Sequence, residues 1–402
     1  MLRKDNFFKN YFVSNYNYKK NFRKTKKVFN SLLIDLKNNN IPLIQSYEKK
    51  YEFDFSKTTV KKFSKYKNII IIGMGGSILG IKSIYSFFQK KLKKKVFFFD
   101  NLDPNLNLKY KKIKNLKDSC FILVSKSGNT LESLTNLGSI FSKHILKNRL
   151  IVITEITDNV ALSIANKYKA EIIEHKEYIG GRYSVLSEAG MFPAALMGLN
   201  LIKFKNLNQL IKNKNFVSAL LQNVAAIFTL NSKKINNSII ISYDSALNDL
   251  GYWYQQLVAE SLGKRGKGIN PMVSFGPKDH HSLLQLYLDG PKDKFFTFFN
   301  SIKKENRTKI SSNIVTEDTK YLKNKNVEDI IKAQSNAAKN IFTSKKIPFR
   351  QITFKKKSED ELGEIFTFFV LETILLSRLM NVNPFDQPAV EQVKMETKKI
   401  LR

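Results

Sequence analysis

The 402-residue sequence contains little cysteine and histidine, and both shortages limit its chemistry. Its single cysteine, Cys120, cannot form a disulfide within the chain, which fits a reducing cytoplasm. The histidines are His144, His175, His280 and His281. They are not combined with cysteine at zinc-ligand spacing, so the sequence predicts no metal site.

Long apolar runs are also missing. The N-terminus is basic and aromatic, and it lacks the continuous apolar core of a signal peptide. The most apolar helical stretch, 365–380, contains Glu372 and Arg378, so it is too short and too charged to span a bilayer. We therefore expect a soluble protein with no membrane partner.

Acidic side chains are scarce as well: 34 Asp and Glu stand against 68 Lys and Arg, a formal net charge of +34. This balance suggests a nucleic-acid-binding protein. The lysines, however, are spread among residues with A/T-rich codons, and no zinc-finger, recognition-helix or RNP pattern occurs. We expect no specific nucleic-acid partner, and we interpret runs such as 90–95 as solvated surface that attracts anionic substrates.

What the sequence does contain is a regular alternation of short apolar strands and helical patterns, which is typical of parallel α/β sheets. Strands are predicted at 68–72, 95–100, 119–124, 149–154 and 170–174, and again at 239–242, 271–275, 295–299 and 351–354. Helices are predicted at 246–262, 360–380 and 388–401. We expect an α/β protein with two doubly wound parallel sheets. A helical N-terminal arm (1–60) packs on the first domain (61–204), and the second domain (205–402) ends in long helices.

Two predicted strand ends carry glycines and hydroxyl groups. Ile69–Ile72 runs into a glycine turn and Ser77, and the strand at 119–124 runs into Ser125–Thr130. Free backbone N–H groups, hydroxyls and a helix N-terminus form an anion site, so the two turns predict a bound phosphate. Ile78 excludes the dinucleotide motif G-x-G-x-x-G, and the chain contains no P-loop sequence. Taken alone, the first turn is equally compatible with tight packing of a helix on a strand.

Four further segments contain residues suited to catalysis. They are Arg182 after two glycines, Gln256 and Glu260 on one helical face, the adjacent pair His280 and His281, and Gln387 and Lys394 at the start of a helix. Each also has a purely structural interpretation. These are a surface arginine in a turn, a solvated glutamate, an incidental histidine pair and a solvent-facing lysine.

Together these segments resemble the glucose-6-phosphate isomerase family over about residues 65–402. The resemblance rests on Gly180–Ser184, on Phe385–Lys394, on Ala259–Lys264, on His281 with Gln285, and on Ser125–Thr130, in the family's order. It implies two sugar isomerase (SIS) domains and a homodimer whose active sites use both subunits. It also implies interconversion of D-glucose 6-phosphate and D-fructose 6-phosphate through a cis-enediol(ate), without metal or organic cofactor.

The resemblance also implies a role for each candidate residue. Glu260 moves a proton between C2 and C1, and Arg182 stabilises the charged intermediate. His281, from the partner subunit, helps to open the sugar ring, with Lys394 near the ring oxygen. The substrate-binding residues are expected to be Gly76, Ser77, Ser125, Lys126, Ser127 and Thr130 around the phosphate, with Gln256 and Gln387 orienting hydroxyls.

Two positions depart from the family pattern, Glu188 near the first signature and Ala389 in the second. An acid at position 188 either pairs with Arg182, which weakens the oxyanion site, or faces outward, whereas Ala389 needs only an ordinary helical conformation. Alternative functions stay open at this point. They are a non-catalytic SIS regulator that binds sugar phosphates, and an isomerase that accepts both glucose and mannose 6-phosphate.

Overall fold

The computed structural model describes residues 8–12, 15–140, 148–302 and 308–402, so His144 lies outside the described residues. Two parallel sheets are formed in these ranges. The first contains β1 (Asn68–Gly73), β2 (Lys95–Phe99), β3 (Ser119–Val124), β4 (Leu150–Thr154) and β5 (Glu171–Glu174), in the order β2-β1-β3-β4-β5. The second contains β6 (Asn237–Ser242), β7 (Asn270–Phe275), β8 (Lys294–Ser301) and β9 (Phe349–Phe354), in the order β7-β6-β8-β9.

Helices cover both faces of these sheets. In chain order they are α1 (Lys9–Phe12), α2 (Tyr16–Lys37), α3 (Lys57–Ser64), α4 (Gly76–Phe88), α5 (Leu106–Lys111), α6 (Leu131–Ile140), α7 (Val160–Tyr168), α8 (Glu188–Leu196), α9 (Leu207–Leu210), α10 (Lys214–Ser232), α11 (Asn248–Leu262), α12 (Leu284–Asp289), α13 (Val327–Ser344), α14 (Glu359–Met380) and α15 (Pro388–Ile400). The α/β class and the two parallel sheets are confirmed, and each predicted strand agrees with an observed one to within about two residues.

The β1 strand shows why the apolar runs are continuous. Ile69–Ile72 are all buried, because both faces of the sheet are covered. Ile69 and Ile71 belong to a large central core, whereas Ile70 and Ile72 belong to a separate outer core. The period of two in a strand divides one run of isoleucines between two layers.

The central core is shared by the two sheets. Ile71 of β1 and Ile240 of β6 belong to it, together with apolar residues of α4, α8, α10, α11 and α14. Each sheet turns its other face to an outer core of its own. Side chains from the two halves meet in this layer, where the rings of Phe87 and Phe354 are 5.2 Å apart.

The N-terminal arm lies where the sequence alone did not place it. Helix α2 packs on α10 and α14 of the second half. Asn21 Nδ2 donates to Thr229 Oγ1 at 2.9 Å, and Arg378 pairs with Asp35 at 2.6 Å. The expectation that the arm packs on the first domain is therefore wrong for α2. A 3-10 helix (Pro42–Tyr47) and α3 do contact the first half, where Tyr47 OH donates to the Tyr183 carbonyl at 3.1 Å.

In the described ranges, the helices are all too short or too polar to cross a membrane.

Candidate active site

The two predicted anion loops lie side by side at one edge of the first sheet. The strand order reverses at β1 and β3, and Gly73 at the end of β1 pairs with Val124 at the end of β3. Ligands of open α/β sheets bind in the crevice at such a switch point. In the second loop, Ser125 Oγ and Thr130 Oγ1 share a hydrogen bond of 2.9 Å, and Ser127 is exposed.

The first loop is packed directly against the segment that carries Arg182. A Cβ atom on Gly76 would lie 2.1 Å from the Gly181 carbonyl carbon and 2.4 Å from the Arg182 backbone nitrogen. Only glycine permits this approach of two backbones. The neighbouring Gly75 has φ +52°, and a Cβ there would lie 2.8 Å from Gln256 Nε2. The first loop thus contacts two of the four candidate segments, those of Arg182 and of Gln256.

Arg182 is almost fully buried, and all five of its N–H donors are engaged. The Nε atom donates to Ser261 Oγ (2.9 Å), Nη1 to Glu260 Oε2 (3.1 Å) and Gln387 Oε1 (2.7 Å), and Nη2 to the carbonyl oxygens of Pro384 and Asp386 (3.0 Å for the latter). A guanidinium held at every donor has a fixed plane, which suits it to stabilise an oxyanion in a defined position.

Glu260 and Gln256 project from one face of α11. Gln256 Nε2 donates to Glu260 Oε1 at 2.8 Å, and Arg182 binds the other carboxylate oxygen. The Glu260 side chain keeps 31% of its surface exposed, so the carboxylate is oriented and still accessible to a ligand. Gln256 Oε1 is buried and has no hydrogen-bond partner among the described residues, which leaves an acceptor for a ligand hydroxyl.

Gln387 belongs to the same cluster, but two other predicted residues do not. Lys394 lies on the exposed helix α15 and pairs with Glu391 at 2.7 Å. His281 is exposed in a 3-10 helix (Lys278–His281). Within the part of the chain that the structure describes, neither residue forms a hydrogen bond or ion pair with Arg182 or Glu260.

The sequence model of the phosphoglucose isomerase family matches residues 48–402. The chain belongs to the phosphoglucose isomerase family. It is 34% identical to a glucose-6-phosphate isomerase of Methanocaldococcus jannaschii over 353 residues, which span 85% of this chain and 86% of that protein. It is also 30% identical to the glucose-6-phosphate isomerase of Campylobacter jejuni over 366 residues, 83% of this chain and 85% of that one. The resemblance stated from the motifs is confirmed.

Solved structures show the same fold. A hypothetical protein from Thermus thermophilus superposes with a TM-score of 0.80 at 22% identity, covering 96% of both chains. A glucose-6-phosphate isomerase from Chlamydia trachomatis gives a TM-score of 0.67 at 19% identity over 85% of this chain and 70% of that chain. Across the described residues, no group of three or more His, Cys, Asp or Glu side chains is arranged to hold a metal ion.

Glu188, which departs from the family pattern, neither pairs with Arg182 nor faces outward. The carboxylate is buried and accepts hydrogen bonds from Tyr51 OH at 2.9 and 3.0 Å and from the Asp54 backbone at 3.2 Å. Lys205 lies nearby with its Nζ 3.8 Å from the centre of the Phe53 ring. Burial raises the pKa of Glu188 and lowers the pKa of Lys205 to about 7, so each group is shifted toward its neutral form.

The histidine pair is divided between two environments. His280 is partly buried and its Nε2 lies 2.5 Å from Tyr243 OH, whereas His281 is exposed. Burial and the neighbouring His281 lower the pKa of His280. A packed His280 leaves His281 as the member of the pair that is accessible to another molecule.

Sequence reasoning missed Ser261 and Tyr183 as parts of the site. Ser261 Oγ accepts from Arg182 Nε and lies 2.9 Å from Tyr183 OH. Tyr183 OH also donates to the Pro384 carbonyl at 3.0 Å. Both residues stand next to a predicted catalytic residue, but a neighbouring hydroxyl is too common a feature to indicate such a role by itself.

Proposed function

We propose that this protein interconverts D-glucose 6-phosphate and D-fructose 6-phosphate. The observation that carries the proposal is the Arg182–Glu260 pair, 3.1 Å apart, joined through the Gly76–Gly181 backbone contact to the two hydroxyl-bearing loops. A carboxylate, a guanidinium and an anion site therefore meet at one place. Membership of the phosphoglucose isomerase family and two relatives named glucose-6-phosphate isomerase support the same reaction.

The phosphate end of the substrate is assigned to the loops after β1 and β3. Helix α4 begins at Gly76, and the positive end of its dipole favours an anion there. The hydroxyls of Ser77, Ser125, Ser127 and Thr130 and the backbone around Lys126 complete this part of the site. The Lys126 ammonium itself lies 3.4 Å from Glu155, so its charge is partly offset.

Glu260 is assigned the proton transfer. It removes the proton from C2 of the open-chain aldose, and the C–H electron pair forms the C1=C2 double bond as charge moves onto O1. The protonated Glu260 then delivers that proton to C1, while the O2 proton moves to O1 and leaves a carbonyl at C2. A positioned base of this kind contributes about 10²- to 10⁴-fold to the rate.

Arg182 is assigned the stabilisation of the enediolate. Because its N–H donors are all engaged, the substrate oxyanion must replace an existing acceptor. The Nη1 donors are the ones directed at Glu260 and Gln387, the two partners that belong to the predicted site. Exchange of one of these bonds places positive charge beside O1 or O2 and frees Glu260 to approach the carbon skeleton.

The proposal is tested by the variant Glu260→Gln, assayed for fructose 6-phosphate conversion through a coupled dehydrogenase. We expect kcat to fall at least about 100-fold with little change in KM, because the base is lost and the phosphate loops are intact. Glu396→Gln, on the exposed helix α15, is the matched control and should keep wild-type activity. A Glu260→Gln enzyme with near-normal kcat would reject the mechanism, and an inactive wild type that binds hexose 6-phosphate would favour the regulator.

His281 and Lys394 are assigned to a site shared by two subunits of a homodimer, with His281 reaching the partner's site and Lys394 near the ring oxygen. Their exposure on a single chain supports this assignment, as do the exposed apolar residues Val390 and Val393 on α15. Co-expression of inactive Glu260→Gln and His281→Asn chains should restore about a quarter of wild-type activity, because one site of each mixed dimer is complete. If mixed dimers are co-purified and show no restored activity, the active sites are not shared between subunits.

A further inference from the structure

The turn between α14 and α15, residues 381–387, is bound by cationic side chains at both ends. At its start, Lys267 Nζ donates to the Met380 carbonyl at 2.9 Å. At its end, Arg182 donates to the Asp386 carbonyl and to the side chain of Gln387. The position of Gln387 beside Arg182 therefore depends on where this turn lies.

A third cation, Lys264, holds the turn between these two ends. Its Nζ pairs with the Asp386 carboxylate at 2.9 Å and donates to the Asn383 carbonyl. The Lys264 side chain is only 12% exposed, so water competes weakly for these bonds. The Lys264 Nζ also donates to the Ser261 carbonyl at 3.3 Å. In the chain, Lys264 comes two residues after the end of α11, the helix that carries Glu260.

The backbone beneath Lys264 is itself fixed. Lys264 and Lys267 exchange two backbone hydrogen bonds of 3.1 and 2.9 Å, which close a tight turn after α11. On the other side, α15 has no buried residue, so packing of that helix on this chain does not hold the turn. The turn is also held by Val382 and Pro384, which are buried, and the Pro384 carbonyl accepts hydrogen bonds from Arg182 and Tyr183.

We propose that Lys264 is a positioning residue, which places the 381–387 turn so that Gln387 and the Asp386 carbonyl meet the Arg182 guanidinium. This inference rests on the isomerase function proposed above. Among the described contacts, Lys264 forms no hydrogen bond with Arg182, and it acts through the turn. It also neutralises Asp386, whose pKa it lowers by donating a hydrogen bond.

The charge of Lys264 matters because Asp386 adjoins a saturated guanidinium. A carboxylate released from Lys264 is free to rotate toward Arg182, where it would compete with Glu260 and Gln387 for the Nη1 donors. A misplacement of about 1 Å in such a cluster costs up to about 100-fold in rate. The phosphate loops lie on other elements, so substrate affinity should change little.

The test compares Lys264→Met with Lys267→Met. The second variant removes the hydrogen bond to the Met380 carbonyl and leaves the side-chain contacts of residues 383–387 in place. We expect kcat to fall at least about 10-fold in Lys264→Met with KM within about threefold, and kcat to stay within about twofold of wild type in Lys267→Met. The melting temperature is measured for both, and assays are run well below it. Asp386→Asn should lower kcat as well, and the double variant Lys264→Met/Asp386→Asn should be no worse than Lys264→Met, because the two residues act as one pair.

Equal kcat losses in the two lysine variants, or additive losses in the double variant, would overturn the proposal. Hydrogen exchange of the 381–387 amides provides a measurement independent of catalysis. Exchange should be at least about tenfold faster in Lys264→Met than in wild type. If the wild-type protein is inactive, the proposed function fails, while faster exchange in Lys264→Met still supports the role of Lys264 in positioning the turn. Unchanged exchange refutes that role, whatever the activity.

Discussion

The contact between Gly76 and Gly181 allows a sharp prediction for Gly76→Ala. The new Cβ would lie 2.1 Å from the Gly181 carbonyl carbon, whereas ordinary contacts begin at 3.4 Å. Both partners are backbone, so neither can rotate away, and the two segments must separate by about 1 Å. We expect a loss of about 1–3 kcal/mol in the free energy of unfolding from overpacking. We expect a fall of about 100-fold in kcat/KM, because Arg182 moves relative to the phosphate loop.

The assay is steady-state isomerisation of fructose 6-phosphate, with urea unfolding measured on the same preparations. Gly138→Ala is the control, because a Cβ at that position in α6 meets no atom within 4 Å. It should raise the free energy of unfolding by about 0.5–1 kcal/mol and leave kcat/KM unchanged. Wild-type kcat/KM in Gly76→Ala would refute the claim that this contact couples the phosphate site to Arg182.

Three further predictions concern buried charges. Glu372→Gln should lower the free energy of unfolding by about 3–5 kcal/mol in urea titrations, because fully buried Arg350 loses its only described anionic partner; a loss under 1 kcal/mol would contradict this. Burial lowers the pKa of His175 from 6.5 to about 4, so only the unfolded chain gains a proton as pH falls below 6.5, and stability should drop by about 2 kcal/mol between pH 7 and 5. His175→Gln should remove that part of the pH dependence, and an unchanged slope would refute its cause. Glu188→Gln should keep kcat within about threefold while lowering stability by about 1–3 kcal/mol, because Tyr51 OH and the Asp54 backbone N–H lose one of the two carboxylate oxygens that accept their hydrogen bonds; a large loss of kcat would mean that Glu188 acts on Arg182.

Local features of the fold were predictable because their causes are local. The run Ile69–Ile72 indicates a strand covered on both faces, and all four isoleucines are buried in the structure. Gly263 likewise follows the helical pattern at 246–262, and it is the C-terminal cap of α11. These assignments need only a few neighbouring residues.

Long-range contacts were harder to predict. Arg182 and Glu260 are 78 residues apart, and only the family resemblance indicated that they would meet. The spacing of apolar residues in α2 showed that one face is buried but not which helices bury it. Glu188 was identified as unusual, yet its burial near Lys205 could not be foreseen, because one lysine in a chain with 68 basic residues carries no signal. The domain boundaries and the roles of all the candidate site residues stay predictions.

The apolar core shared by the two sheets has a consequence for how the protein folds during synthesis and how it unfolds. A fragment ending near residue 204 would expose to solvent the apolar face that the second half normally covers. The rest of the chain would expose its own side of the shared core. During synthesis, the N-terminal half therefore cannot bury this apolar face until the C-terminal half has been made. Heat should unfold both halves together, in one cooperative transition, because the largest core is built from residues of both.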